Sequence, residues 1–232
     1  MNVKGVFFDL YGTLYLSENT DAELDEWITE LHSRLIKYGA RTHKEQAWDY
    51  FQDRGWKDNL PKPKDGMTVF EKRLEITCSY FGAQMSRDKI EETADALIAV
   101  WDKYANLDPG CFSLLKTLKE RKITSSLITN FDHPRSVRRL IKETSLVKFF
   151  SAVIISGDHG VNKPDPAIYR LALEKTGLQP GETVFVGDSE EDVVGANNAG
   201  LISVLIDRKG HGKNYGQKFT ISSLQDVLKV IS

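Results

Sequence analysis

Four apolar runs in this chain each stop at residues able to handle charge. The first begins at Val3 and ends at Asp9, followed at once by a Gly12-Thr13 turn; a second ends in Thr129-Asn130. A third leads into the loop SGDHGVNKPDP, which carries Lys163, and a fourth closes on Gly187-Asp188-Ser189, with Asp192 just beyond. A continuous Val/Phe/Ile run bounded by turn signals reads as a strand buried on both faces, the habit of parallel sheets. In open α/β sheets the ligand crevice lies outside the carboxyl ends of the strands. Asp9 taken alone suits either the floor of such a crevice or a cap on the turn that follows it. With the other strand ends beside it, a specific chemistry emerges. A carboxylate can attack phosphorus or an activated carbon to give a covalent intermediate, provided its own charge is offset before an anionic substrate approaches. Lys163 and a Mg²⁺ ion supply that offset. Mg²⁺ prefers one or two carboxylates plus substrate oxygens and water, and Asp9, Asp188 and Asp192 are hard oxygen donors of that type. Asp192, at the start of the next helix, also suits the helix dipole.

The elements that must position these residues follow from hydrophobic periodicity. Strands are expected at the start of the chain, at Ile123 to Thr129, Ala152 to Ser156, Thr183 to Val186 and Ile202 to Ile206, with a short one near Phe219 to Ile221. Helices are expected at Phe112 to Glu120, Arg135 to Thr144, Pro166 to Thr176 and Leu224 to Ile231, with Pro164 and Pro166 suiting a first turn and Gly177 a stop. This alternation predicts an α/β fold: a parallel sheet with helices on both faces, built from residues 1–16 and 106–232. Between them, residues 17–105 read as helical throughout, far longer than an ordinary βα connection and therefore an inserted all-α subdomain. Its stripes are Leu24, Trp27, Ile28, Leu31 and Leu35, then Phe70, Leu74 and Phe81, then Ile90, Ala94, Leu97, Ile98, Trp101 and Tyr104. The segment Gly55 to Gly66, with Pro61 and Pro63 among lysines, reads as a loop, exposed or facing substrate. Trp48, Phe51 and Trp56 suit either the core of this insertion or a small interface, and His32 and His43 read as surface residues. The Gly-, Lys- and His-containing stretch from Asp207 to Lys218 resembles a phosphate or nucleic-acid patch in composition but reads first as a mobile surface loop.

Composition narrows the partners. In 232 residues, 31 Lys and Arg stand against 33 Asp and Glu, a formal charge of -2, so no global field points to nucleic acid or an anionic membrane. A small molecule is the expected partner. No apolar stretch approaches a membrane span and Asp9 comes too early for a secretory leader, so a cytoplasmic location is expected. Cys78 and Cys111 stand far apart without His neighbours, which suggests neither a disulfide framework nor a zinc site.

The motifs DLYGTL at Asp9, ITN ending at Asn130, KPDP beginning at Lys163 and GDSEED from Gly187 to Asp192, in this order and with a helical insertion after the first, resemble those of the haloacid dehalogenase superfamily of hydrolases. The resemblance covers essentially the whole chain. It implies a Rossmann-like core with a helical cap over the substrate. It further implies that Asp9 is the nucleophile, Thr129 and Asn130 bind the transferred group, Lys163 steadies charge, and Asp188 and Asp192 hold or orient Mg²⁺, joined by the backbone carbonyl of Tyr11.

One position departs from the pattern. Phosphatases of this superfamily carry a second Asp two residues after the nucleophile, as general acid and base; here that residue is Tyr11, within the leaving-group neighbourhood Tyr11, Gly12 and Thr13. Metal-independent 2-haloacid dehalogenases of the superfamily also have Tyr there, and a halide leaves without a proton. Losing general acid catalysis costs a phosphatase on the order of 10²–10⁴ in rate. Dehalogenases, however, usually carry Ser-Ser-Asn where this chain keeps the acidic Gly187-Asp188-Ser189. The reading is thus a Mg²⁺-dependent phosphatase of a small phosphorylated metabolite working through an aspartyl-phosphate on Asp9. The alternatives are a metal-independent 2-haloacid dehalogenase and, behind both, a catalytically weak phosphate-binding protein.

Overall fold

The computed structural model describes residues 2–16, 20–52, 56 and 62–232. The chain divides into two compact units, Met1–Ser17 with Asn106–Ser232, and Glu18–Ala105. In chain order, β1 (Gly5–Phe8) and a two-residue β2 (Tyr15–Leu16) are followed, among the described residues of the second unit, by the helices α1 (Asp21–Lys37), α2 (Lys44–Tyr50), α3 (Val69–Phe81) and α4 (Arg87–Tyr104). The chain then re-enters the first unit through β3 (Asn106–Leu107), α5 (Cys111–Glu120), β4 (Thr124–Thr129), α6 (Pro134–Glu143), β5 (Phe150–Ile155) and a single turn, α7 (Ser156–His159). It ends with α8 (Pro166–Thr176), β6 (Thr183–Gly187), α9 (Glu190–Asn198), β7 (Ile202–Ile206), β8 (Phe219–Ile221) and α10 (Val227–Val230).

Six strands form one parallel sheet in the order β5-β4-β1-β6-β7-β8. β1 is entirely buried and lies between β4 and β6, with Phe8 in register with Leu127 on one side and Val186 on the other. That register brings the carboxyl ends of the three strands to one edge. The sheet face that covers them is apolar: Phe7, Ile128, Ile154 and Phe185 pack with Ile168, Tyr169, Ala172 and Leu173 of α8 and Ala196 of α9. Each large side chain removed from water here contributes about 1.5–3 kcal/mol. Local signals hold the helices in place. Asp165 caps α8 by accepting from the Ala167 amide, Pro166 fills its first turn, and Gly177 ends it in the left-handed region. Pro164 precedes the cap rather than occupying the first turn.

Several boundaries differ from expectation. β1 begins at Gly5, and β5 begins at Phe150, where its pairing with β4 carries a register shift between Ser125 and Ser126. Ser156 leaves the strand and opens α7 within the expected loop. The terminal helix splits into a 3₁₀ turn, Leu224–Asp226, and α10. The antiparallel pair β2–β3 has no periodic signature, being two residues long in each strand.

The helical unit is packed on its stripes. Trp27, Ile28, Leu31 and Leu35 of α1 are buried, as are Phe70 and Leu74 of α3 and Ile90, Ala94, Leu97 and Ile98 of α4. Trp27 stacks on Trp101 with centroids 5.3 Å apart and meets Phe51 at 4.7 Å and Trp56 at 5.3 Å. Phe51 and Trp56 therefore belong to the core of this unit. His32 is not a free surface residue: it is half-buried, and its Nε2 lies 3.1 Å from the Thr42 carbonyl oxygen. Of the expected loop Gly55 to Gly66, Gly55 and residues 57–61, including Pro61, lie outside the described residues. Among the described residues no helix is long and apolar enough to cross a membrane.

Candidate active site

Asp9 follows β1 directly, and its amide donates to the Val186 carbonyl at 2.9 Å, which extends the β1–β6 ladder by one residue. Its carboxylate is thereby held at the lip of the sheet, almost fully buried. Lys163, equally buried, reaches in from the loop before α8 and donates from Nζ to Asp9 Oδ1 at 2.5 Å and to Asp192 Oδ1 at 2.6 Å. Asp188 follows β6. Carboxylate oxygens of Asp9, Asp188 and Asp192 lie within 4.8 Å of one another.

The arrangement is held by specific bonds. Asp192 Oδ2 accepts from the amides of Asp188 and Ser189, both at 3.1 Å, and from Ser189 Oγ at 2.7 Å, while Ser189 Oγ in turn accepts from the Asp192 amide. This is a capping box at the start of α9, and it makes Asp192 an anchor for Lys163 and for the Asp188 loop. Asn130 does similar work from β4. Its Oδ1 accepts from the Lys163 amide at 2.8 Å, and its Nδ2 donates to the Lys163 carbonyl at 3.0 Å and to Glu191 Oε2 at 3.1 Å. Both faces of its carboxamide are directed at the Lys163 loop. Thr129 is buried at the end of β4, in register with Ile155.

Two glycines mark how closely the loops approach. A Cβ on Gly12, whose φ is +88°, would stand 2.4 Å from the Asp188 carboxylate, and one on Gly187 would stand 2.3 Å from the Asp192 side chain. Neither position tolerates a side chain without displacing a site carboxylate. The Thr13 hydroxyl is fully buried and has no hydrogen-bond partner among the described residues. Tyr11 stacks on Phe131 with centroids 5.2 Å apart, so the ring that replaces the usual second Asp forms part of an aromatic wall next to Asn130.

Burial dominates the electrostatics. It pushes the Asp9 carboxyl up to about 7; Lys163 opposes this, and Asp192 and Asp188 add to it. Asp188 is also raised, by burial first and then by Asp192. Burial disfavours the Lys163 ammonium, but Asp9 and Asp192 together outweigh it and hold its pKa above the ordinary lysine value. Three carboxylates thus share one ammonium. A hard divalent cation fits this donor set, because it supplies the missing positive charge and accepts carboxylate oxygens. Asp188 forms no ion pair among the described residues, and Asp9, Asp188 and Asp192 each offer a carboxylate oxygen to such a cation.

The sequence of residues 3–200 matches the family model described as haloacid dehalogenase-like hydrolase. The chain belongs to that family. Its similarity to a phosphoserine phosphatase of Thermus thermophilus is 35% identity over 52% of this chain and 48% of that protein, so the chain spans about half the length of that relative. It is also 27% identical to an (S)-2-haloacid dehalogenase of Pseudomonas fluorescens, over 90% of this chain and 86% of that one. Among solved structures, a HAD phosphatase from Thermococcus onnurineus superposes with a TM-score of 0.74 at 23% identity, covering 99% of this chain and 98% of that one, a likeness of fold.

As a haloacid dehalogenase-like hydrolase, the chain gathers Asp9, Lys163, Asp188 and Asp192 into one cluster, with Asn130 tied to the Lys163 backbone and Gly12 against Asp188. Ser189 and Glu191, which the motifs contain without a role of their own, and Phe131 and Tyr169, which lie outside them, also frame the cluster; the Tyr169 hydroxyl donates to the Asp192 carbonyl at 3.1 Å. Of these only Ser189 had a signal, the Ser-x-x-Asp spacing of a capping box.

Proposed function

We propose that the chain is a Mg²⁺-dependent phosphohydrolase of a small phosphorylated metabolite. The observation that carries this reading is the cluster of three buried or half-buried carboxylates around one ammonium, with Asp188 lacking an ion-pair partner among the described residues. Asp9, Asp188 and the Tyr11 carbonyl are the candidate ligands, and the cation would neutralise charge on the phosphoryl oxygens. An Asp9 oxygen attacks phosphorus in line; the bond from phosphorus to the leaving oxygen breaks, and its electron pair departs with that oxygen. Water then attacks the aspartyl-phosphate, the bond to Asp9 breaks, and inorganic phosphate and a free carboxylate result, the proton of the water passing to solvent. Lys163 holds Asp9 in place and offsets charge in both steps. With Tyr11 where the family has its general acid, substrates whose leaving group needs little protonation, such as acyl phosphates, suit the site best.

Assay of a phosphate-ester and acyl-phosphate panel with and without chelator tests this reading. Phosphate release that needs Mg²⁺ and disappears in Asp9→Asn supports it; release unaffected by chelator contradicts it. A second reading, dehalogenation of a 2-haloacid, is favoured by Tyr11 at the position where the resembling phosphatases carry a second Asp, since a halide leaves without a proton, and by the similarity to an (S)-2-haloacid dehalogenase. Halide release from 2-chloropropionate in chelator would establish it.

A further inference from the structure

Arg208 stands two residues beyond the end of β7 and takes no part in any of the four motifs. Its half-buried guanidinium nevertheless reaches the loop that follows the nucleophile. Nη1 donates to the Gly12 carbonyl at 2.7 Å, and Nη2 donates to the Thr13 carbonyl at 2.7 Å and to Asp108 Oδ2 at 2.8 Å. We propose that Arg208 is a positioning residue for the Asp9 loop, setting where residues 11–13 lie against Asp188.

That loop is closed from two sides. Its inner side is satisfied by its own backbone: the Gly12 amide donates to the Tyr15 carbonyl at 2.6 Å, and the Leu14 and Tyr15 amides both donate to the Leu10 carbonyl, at 2.9 and 2.8 Å. Its outer carbonyls, those of Gly12 and Thr13, face Arg208. Two successive carbonyls are matched by two nitrogens of one planar fork, a geometry that a lysine ammonium cannot reproduce. Charge-assisted bonds of this kind are roughly twice as strong as neutral ones. Asp108 fixes the far side of the guanidinium, and Asp108 is itself held, its amide donating to the Leu14 carbonyl at 2.9 Å and its Oδ1 accepting from the Gly110 amide at 2.8 Å. Arg208 therefore ties three chain segments together: residues 12–13, Asp108 and the end of β7. The tolerance for error is small, because a single carbon added at Gly12 would already stand 2.4 Å from Asp188. A shift of about 1 Å in a positioned group can cost on the order of 10² in rate.

The inference rests on reading Asp9 as the catalytic nucleophile, and its test separates the two. Amide hydrogen exchange and steady-state kinetics are measured for the wild type, Arg208→Met and Arg208→Lys. Arg208→Met is expected to exchange the Gly12, Leu14 and Tyr15 amides about tenfold faster or more while the amides of β1 and β6 keep their protection, and to lower kcat about tenfold or more with KM within about twofold. Arg208→Lys is expected to fall between, and it carries the test if the Met variant does not fold. Wild-type exchange at residues 12–15, wild-type kcat, or a loss of protection spread evenly over the whole sheet would overturn the inference. A wild type that hydrolyses nothing on the phosphate panel condemns the phosphatase reading alone, since exchange still reports on Arg208.

Discussion

In the unit built on the sheet, Lys163, Asp9 and Asp192 are buried as one ion-pair cluster, whereas the helical unit, which also buries Glu23, Glu71 and Arg73, carries pairs such as Lys103–Glu26 and Lys89–Glu92 toward solvent and fills much of its interior with rings. Lys163, Asp9 and Asp192 are each nearly inaccessible, and Lys163 bridges both acids. In the helical unit Lys103 pairs with the half-buried Glu26, and Lys89 with Glu92, both exposed, and the lowered pKa of Glu26 comes from the hydrogen bonds it accepts from Lys103 and Tyr104. Its interior is instead organised by Trp27, Phe51, Trp56, Phe70 and Trp101. The difference is one of dielectric. A surface pair is screened by water and is nearly neutral for stability, while removing one member of a buried pair strands the other in a medium that cannot solvate it. A buried charge cluster is weak evidence for stability, and the proposed role of Asp9 as nucleophile accounts for it here.

The contrast can be broken or sharpened by substitution. The largest effect is expected from Asp9→Asn, which removes the attacking group: turnover should vanish in a phosphate-release assay while Lys163 keeps Asp192 as its partner. Asp192→Asn comes next, destabilising the fold by about 3–5 kcal/mol in denaturant unfolding, because it breaks the buried pair and weakens the loop of Asp188. Gly12→Ala should lower kcat on the order of 10², through displacement of the Asp188 carboxylate. In the helical unit the matching change, Glu26→Gln, should leave the melting temperature where it is, since its partner Lys103 is exposed. A shift as large as that of Asp192→Asn would erase the distinction between the two units. Cys78 and Cys111 offer the smallest effect. Burial pushes their thiols up to about 11 and about 12, so neither ionises appreciably at pH 8, and both should resist alkylation until the protein unfolds.

Much of this was legible in the sequence, and the reasons are physical. A strand buried on both faces must be apolar along its whole length, so Asp9 and Asp188 stood out as charges at the ends of such runs, and the helical stripes of residues 21–104 were visible through their 3.6-residue period. Periodicity could not reveal β2–β3, which is too short to show one. Nor could it show that Asn130 serves the Lys163 backbone, or that Arg208 reaches residues 12–13, since these are bonds between segments far apart in the chain. The stretch from Asp207 to Lys218, expected to be a surface loop from its Gly and Lys content, is an irregular and largely exposed segment, and it is also laced with hydrogen bonds that its composition did not announce. Asp207 accepts from the His211 and Gly212 amides, and Asn197 donates to the Gly216 carbonyl. Composition reports solvent exposure well and side-chain-to-backbone bonding poorly.

The central claim is that a phosphoryl group passes through Asp9. Turnover on the best phosphate substrate in Mg²⁺, quenched in acid and reduced with borohydride, followed by peptide mass spectrometry, addresses it directly. Conversion of Asp9 to homoserine, seen with substrate and Mg²⁺ and missing when either is withheld, is the predicted result. Sustained phosphate release with Asp9 recovered unmodified, or by the Asp9→Asn variant, would contradict it.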